Sequence, residues 1–359
     1  MTAAGRVDVA VIGSGPAGAV TAFLLARAGR DVALYEQPRN DALRLGETLP
    51  PSVDPVLRKL GLYDRFQALQ TTPCPIDRGH FNAMLVDAAE QAGARVLRGA
   101  RVARVCRSHN GLQVEAGEAA LATTVVDATG RTARVARALG ANRVQLDGLV
   151  CAARVFESGS EPLGDIFIEA APDGWWYASP LPDQRLIIAL FTDAHEAVRS
   201  RLATVNGWTD ALARTEDVRD LAGGAPCGKI RMMISSSHEL EPPVGDDWIA
   251  VGEAALAVDP LPSSGVDFAL RSATAAAEVL LGGDRCAYRR LIAEEASEYR
   301  RQWAEIYGLE HRFADSAFWS ARRLLVDQPL ASRAETSRAV GIDGAAPSRS
   351  TEQDAAALA

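Results

Sequence analysis

Val7-Asp8-Val9-Ala10-Val11-Ile12 leads directly into Gly13-Ser14-Gly15-Pro16-Ala17-Gly18, and an alanine-rich segment follows as far as Gly29. The apolar run reads as a buried strand, the glycines as a tight turn, residues 19–28 as a helix and residues 31–36 as a second strand. That is a βαβ unit, and its glycine spacing has a physical purpose. Gly13 permits the turn, Gly15 lets a pyrophosphate approach the backbone, and Gly18 lets helix and strand pack closely. Pro16 and Ala17 begin the helix, whose N-terminus is a positive pole for phosphate. Glu36, 21 residues beyond Gly15, stands where an acid accepts hydrogen bonds from an adenosine ribose and disfavours a 2′-phosphate. Strand, helix and acid together argue against a glycine-rich turn of some other α/β protein. The motif alone does not separate one dinucleotide from another.

Outward from this unit, proline-rich residues 50–55 open a helix expected over 56–70. Residues 76–92 are amphipathic, with Phe81, Met84, Leu85 and Ala88 on one stripe. Strands are expected at 94–97, 101–106 and 124–128, the last running into Thr129-Gly130-Arg131. From 149 to 191 the pattern changes to strands without helices between them, at 149–156, 166–170, 175–179 and 186–191. This reads as an antiparallel meander and hence a second domain. A strand at 248–251 and a helix at 266–281 return to the first domain. A long amphipathic helix follows, carrying Tyr288, Leu291, Ile292, Ala296, Tyr299, Trp303 and Ile306 at helical spacing. Beyond about residue 341 the chain is rich in Ala, Ser and Gly without periodicity and reads as a disordered tail.

Composition bounds the function. With 359 residues, 48% of them hydrophobic and 23% charged, the chain has the length and composition of a two-domain globular protein. No apolar run reaches the roughly 18–20 residues of a membrane span. Asp8 inside the first apolar run speaks against a secretory leader, so a cytoplasmic location is expected. A net charge of −8 argues against nucleic-acid binding by bulk electrostatics. Five scattered cysteines form no C-x-x-C pair, and no spacing of metal ligands is apparent, so neither a disulfide framework nor a metal is expected. Of 38 basic residues only Lys59 and Lys229 are lysines, which restricts any chemistry that needs an ammonium group.

Two later segments narrow the dinucleotide. Trp248-Ile249-Ala250-Val251-Gly252-Glu253-Ala254-Ala255 is followed by Asp259-Pro260-Leu261-Pro262-Ser263-Ser264-Gly265 and a helix. This resembles the second FAD fingerprint of the p-hydroxybenzoate hydroxylase-like flavoproteins. Val126-Asp127-Ala128-Thr129-Gly130-Arg131 resembles the same family's middle element beside the flavin. The resemblance implies an α/β fold: a Rossmann-like, GR2-type FAD-binding domain with an inserted antiparallel-sheet substrate domain and C-terminal helices. It implies an FAD-binding domain at 1–40, 76–147 and 247–285, and a substrate domain at 41–75 and 148–246. Helices would fill 286–337 and a tail 338–359. It further implies that Gly252 and Glu253 hold the ribityl chain, that Pro260, Ser264 and Gly265 face the isoalloxazine, and that Arg44, Arg78, Val102 and Gly130 contact the cofactor. A helix N-terminus near the pyrimidine end would stabilise the charge of reduced flavin. Glu253 stands where the family usually has Asp.

Gly46-Glu47-Thr48-Leu49-Pro50-Pro51, Asp77-Arg78-x-x-Phe81, Gly174-Trp175-Trp176-Tyr177-Ala178-Ser179-Pro180-Leu181, Asp259-Pro260-Leu261 and Ala314-Asp315-Ser316-Ala317-Phe318-Trp319 point to one subgroup. It is similar to the flavin-dependent tryptophan halogenases and, more closely, to the LodB/GoxB-like flavoproteins that oxygenate a tryptophan. Halogenases share W-x-W-x-I-P and use a lysine to hold the oxidant. Here the frame reads Trp175-x-Tyr177-x-Ser179-Pro180, and Lys59 lies on the flank of an amphipathic helix. The resemblance therefore implies an FAD-dependent monooxygenase acting on an electron-rich aromatic, indole- or phenol-like, by way of a flavin hydroperoxide. Halogenation or two-electron oxidation or reduction on the same scaffold is the second reading, and a non-catalytic flavin-binding accessory protein the third. The electron source would be NAD(P)H or a partner flavin reductase. Residues 71–76 stand where relatives carry a longer insertion, and the shortened segment implies a more open site, which suits a bulky, carrier- or protein-bound substrate, or else an enzyme that has lost its original reaction. Glu47, Trp175 and Trp176 are the candidate catalytic residues, the tryptophans as a stacking platform. Trp175 and Trp176 alternate across a strand, so at least one of them belongs to a core. His80, His238 and His311 read first as structural histidines.

Overall fold

The computed structural model describes residues 5–38, 49–69, 77–158, 166–181 and 184–326. In chain order the elements begin β1 (Arg6–Ile12), α1 (Pro16–Arg27), β2 (Val32–Glu36), α2 (Val53–Leu60), α3 (Tyr63–Gln67), α4 (Arg78–Gln91), β3 (Arg95–Arg98), β4 (Arg104–Ser108), β5 (Gly111–Ala116) and β6 (Glu118–Asp127). They continue α5 (Arg134–Ala138), β7 (Asn142–Gln145), β8 (Leu149–Glu157), β9 (Phe167–Ala171), β10 (Gly174–Leu181), β11 (Arg185–Asp193), α6 (Ala194–Arg199), α7 (Val205–Leu212), α8 (Val218–Leu221) and β12 (Pro226–Ile234). The last are β13 (His238–Glu241), β14 (Trp248–Ala250), β15 (Leu256–Ala257), α9 (Gly265–Leu280), α10 (Arg285–Gly308) and α11 (Ala317–Val326). They group into two compact units: the chain up to Val144 with His238–Tyr299, and Gln145–Ser237 with the chain from Arg300.

The first unit is the Rossmann-like one. Its sheet runs β3-β2-β1-β6-β5-β4, with β14 also paired to β6. β1, β2, β3, β6 and β14 are parallel, while β4 and β5 add an antiparallel edge. β1 and β2 are apolar and buried on both faces, as parallel strands covered by helices must be. The C-terminal ends of β1, β6 and β14 lie side by side, because Ile12 pairs with Asp127 and Asp127 with Ala250. Among the described residues assigned to the flavin, residues 13–18 follow β1, Glu36 ends β2, Gly130 follows β6, and Gly252 and Glu253 follow β14.

Three expectations need correction here. The single helix expected over 56–70 is two short ones, because Gly61 closes α2 in the left-handed conformation at φ 73°. Residues 49–69, assigned from sequence to the substrate domain, group with the first unit. Phe66 of α3 meets Phe81 of α4 edge-on at 5.8 Å, and Arg27 of α1 donates to the Leu60 carbonyl. The boundary at 247 also moves, since His238 onward belongs to the first unit.

The second unit is built on the five-stranded sheet β12-β8-β11-β10-β9. The expected meander of β8 to β11 is present, and β12 joins it at the β8 edge. α6, α7 and α8 cover one face, where Trp176, Phe156, Leu190 and Trp208 share a core. Residues from the end of α10 and from α11 cover the other. There Trp175 stacks on Phe191 at 4.0 Å, and Tyr307, Phe318 and Trp319 pack together. No helix among the described residues is long and apolar enough to cross a membrane.

Candidate functional site

The site begins at the turn after β1. The Gly13 amide donates to the Tyr35 carbonyl at 3.0 Å, which fixes the turn against the end of β2 and beside buried Glu36. A Cβ on Gly13 would lie 2.2 Å from the Ala128 carbonyl oxygen, and one on Gly18 would lie 2.0 Å from that of Gly13. Both glycines are therefore required by the fold itself. Gly15 differs, because a Cβ there would meet no protein atom within 4 Å. It caps α1 with no side-chain hydrogen bond, and Pro16 starts the helix, so the first-turn N–H groups of Ala17 and Gly18 lack intrahelical acceptors. Open backbone before an uncapped helix N-terminus fits a pyrophosphate. The residues present thus fit the adenosine diphosphate half of FAD.

The next layer is the turn after β6. Asp127 is fully buried; its Oδ1 accepts from the Thr129 amide and hydroxyl, and its Oδ2 accepts from the Ala136 amide at 2.7 Å. Burial pushes its carboxyl above the usual range. Asp127 therefore closes its own turn and anchors α5. Gly130 adopts φ 66°, which presents its Cα to Glu253. Val102 is buried, and its carbonyl accepts from Arg134.

The third layer follows β14. Gly252 sits at φ 57°, and a Cβ on it would press on Ala17 of α1 at 2.8 Å. Its amide donates to the buried Ser272 hydroxyl, which ties the turn to α9. The Glu253 carboxylate meets Arg131 at 2.8 Å. Asp259 accepts from Leu261 through its side chain, and its amide donates to the Tyr299 hydroxyl on α10 at 3.0 Å. Ser264 precedes the first residue of α9, Gly265, whose Cα faces open space. The sequence assigns no site role to Arg131, Ser272 or Tyr299. Each acts through residues 20 to 127 positions away, and spacing carries no signal of that.

His238 lies beside this turn. It is 1% exposed and bonds the Glu253 backbone, and Arg143, Arg131 and Arg137 surround it. Burial and then these cations push its imidazole down to about 3 from 6.5. The folded state thus refuses a proton that the unfolded chain binds between those values. Stability from this source is complete above pH 6.5 and is lost as the pH falls toward 3. In urea titrations between about pH 4 and 6, the wild type should lose ~1.4 kcal/mol per pH unit more than His238→Gln. Equal slopes would show that His238 takes up its proton in the folded state.

Glu47 and Arg44 lie outside the described residues, as does the segment 71–76. Arg78 begins α4 beside the Asp77 cap. The stacking platform expected of Trp175 and Trp176 is corrected by the second unit's architecture. Both rings are 1% exposed, because helices cover both faces of the sheet. Trp175 is stacked on Phe191 and donates to the Tyr307 hydroxyl at 3.0 Å, while Trp176 packs edge-on against Trp208. Neither offers a free face.

The sequence of residues 6–81 matches the FAD binding domain model, and residues 73–354 match the tryptophan halogenase model. The chain belongs to the tryptophan halogenase family. It is accordingly an FAD-dependent oxidoreductase of the enzymatic flavoproteins. It is 27% identical over 355 residues to the FAD-dependent oxidoreductase LodB of Marinomonas mediterranea, covering 88% of this chain and 96% of that one. The flavin-dependent halogenase CmlS superposes with a TM-score of 0.76 at 25% identity, covering 94% of this chain and 70% of the other. The peptidyl tryptophan dihydroxylase QhpG, essential for tryptophylquinone cofactor biogenesis, superposes with a TM-score of 0.69 at 26% identity, covering 89% and 79%.

Proposed function

We propose that this protein is a cytoplasmic FAD-dependent monooxygenase that hydroxylates an electron-rich aromatic ring, an indole or phenol, carried on a protein or carrier. NAD(P)H or a flavin reductase supplies the electrons. The observation that carries this reading is the placement of the lysines. Lys59 and Lys229 are the chain's only two, and both are exposed. Lys59 lies outside the buried stripe of α2 formed by Val53, Leu57 and Leu60, so its ammonium stays hydrated. An oxidised halide needs an enclosed ammonium, whereas hydroxylation needs no lysine. The similarity to LodB and QhpG supports the same reading.

Bound FAD supplies the oxygen chemistry, and the protein supplies binding, orientation and exclusion of water. The N–H groups opening α1 bind the pyrophosphate, and Glu36 accepts from the adenosine ribose. Glu253 accepts from a ribityl hydroxyl, and the N-terminus of α9 offers a positive pole to the flavin ring. Glu47 remains the candidate for a group near the reacting atoms.

Halogenation is the second reading, favoured by the family model and by the likeness to CmlS. Product mass separates the two. With reduced FAD, oxygen and a tryptophan-bearing peptide, we expect addition of oxygen at a rate indifferent to chloride or bromide. A halogenated product that disappears in Lys59→Ala, with FAD still bound, overturns the proposal.

A further inference from the structure

Arg131 links two of the three layers, the turn after β6 and the segment after β14. It belongs to the turn after β6, its Nη2 lies 2.8 Å from Glu253 Oε1, and the same nitrogen donates to the Val258 carbonyl at 2.8 Å. Val258 directly precedes Asp259 and the loop into α9. The Arg131 carbonyl in turn accepts from Arg143 Nη1 at 3.0 Å, so the segment is pinned from behind. The Arg131 side chain is 19% exposed and that of Glu253 40%. The other carboxylate oxygen, Oε2, lies 3.7 Å from where a Cβ on Gly130 would stand.

A glutamate has one more rotatable bond than the aspartate this position resembles, and an unrestrained carboxylate on that longer stem loses more entropy on holding a ligand. Arg131 removes that freedom before the ligand arrives by engaging one oxygen. Oε2 then keeps its capacity as an acceptor. An aspartate, shorter by one carbon–carbon bond of about 1.5 Å, would fall away from the guanidinium. The pair therefore accounts for the glutamate.

We propose that Arg131 is a positioning residue for FAD, which fixes the Glu253 carboxylate as the acceptor for a ribityl hydroxyl. The proposal rests on the assignment of Glu253 to the ribityl chain. Its test is FAD affinity, read by fluorescence titration of the FAD-stripped protein. Far-UV circular dichroism without FAD checks the fold of each variant.

Loss of a charge-assisted hydrogen bond should raise the Kd about tenfold in Arg131→Leu and in Glu253→Gln. The double variant should be less than about twofold worse than either single one, since both remove the same interaction. Arg131→Lys serves if the leucine variant fails to fold. Its single ammonium does not fork between carboxylate and carbonyl, and it should lose about threefold. In a Glu253→Asp background, Arg131→Leu should change the Kd less than about twofold.

Weakened binding in Glu253→Gln with unchanged binding in Arg131→Leu overturns the positioning role and leaves the Glu253 assignment standing. Unchanged binding in both, in a protein that loses FAD on Gly15→Val, removes the Glu253 assignment and the proposal with it. Additive losses in the double variant also overturn it.

Discussion

Gly15→Val should abolish FAD retention while leaving the fold intact. The purified variant should be colourless, with an FAD Kd raised at least about a hundredfold. Its melting temperature without FAD should stay within a few degrees of the FAD-stripped wild type, as expected of a stability change under about 1 kcal/mol. The reason is local. Gly15 sits at φ −65° and ψ 177°, extended backbone that valine adopts without strain. No protein atom lies within 4 Å of its would-be Cβ. Only a ligand approaching the backbone needs that space. Gly18→Ala is the contrast, because its Cβ would meet the Gly13 carbonyl oxygen at 2.0 Å and the Ala128 side chain at 2.9 Å. That variant should lose FAD and stability together. A yellow Gly15→Val protein with full FAD content would remove the pyrophosphate from this turn.

The parts of the molecule legible in the sequence are those whose physics is local. The β1-α1-β2 unit declares itself because turn, helix start and acid fall within 31 residues, Arg6 to Glu36. The Gly252–Gly265 segment is equally self-contained. A periodic pattern tells which face of an element is buried but not what covers it. Trp175 and Trp176 show the consequence: alternation sends them to opposite faces, yet only the folded chain shows that α7 covers one and Tyr307 the other. The same limit hid Arg131, whose partners lie 122 and 127 residues away. It also hid the first-unit membership of α2 and α3, whose apolar stripes would suit either unit.

Arg322→Met should be the most destabilising conservative change in the second unit. Arg322 is 2% exposed, and its guanidinium meets the two Asp193 oxygens at 2.8 and 3.1 Å. It also donates to the Phe318 carbonyl and lies 3.5 Å over the Phe318 ring. Asp147, fully buried and held by the amides of Leu149 and Ser237, has its carboxyl pushed up by burial and pulled back by the Arg322 charge. Methionine fills much of the volume but leaves buried Asp147 and part-buried Asp193 without their cation. Breaking a buried pair from one side costs about 3–5 kcal/mol, mostly the penalty of the stranded charge. Urea unfolding followed by tryptophan fluorescence is the measurement. Of the six tryptophans only Trp248 belongs to the first unit, so the signal reports mainly on the second. Adding Asp193→Leu to Arg322→Met removes one stranded acid, and the double variant should recover at least about 1 kcal/mol over the single one. A loss below about 1 kcal/mol in Arg322→Met would place the pair among solvent-screened surface contacts. The aromatic layer of Tyr307, Phe318 and Trp319 would then have to hold α11 against the Trp175 face by packing alone.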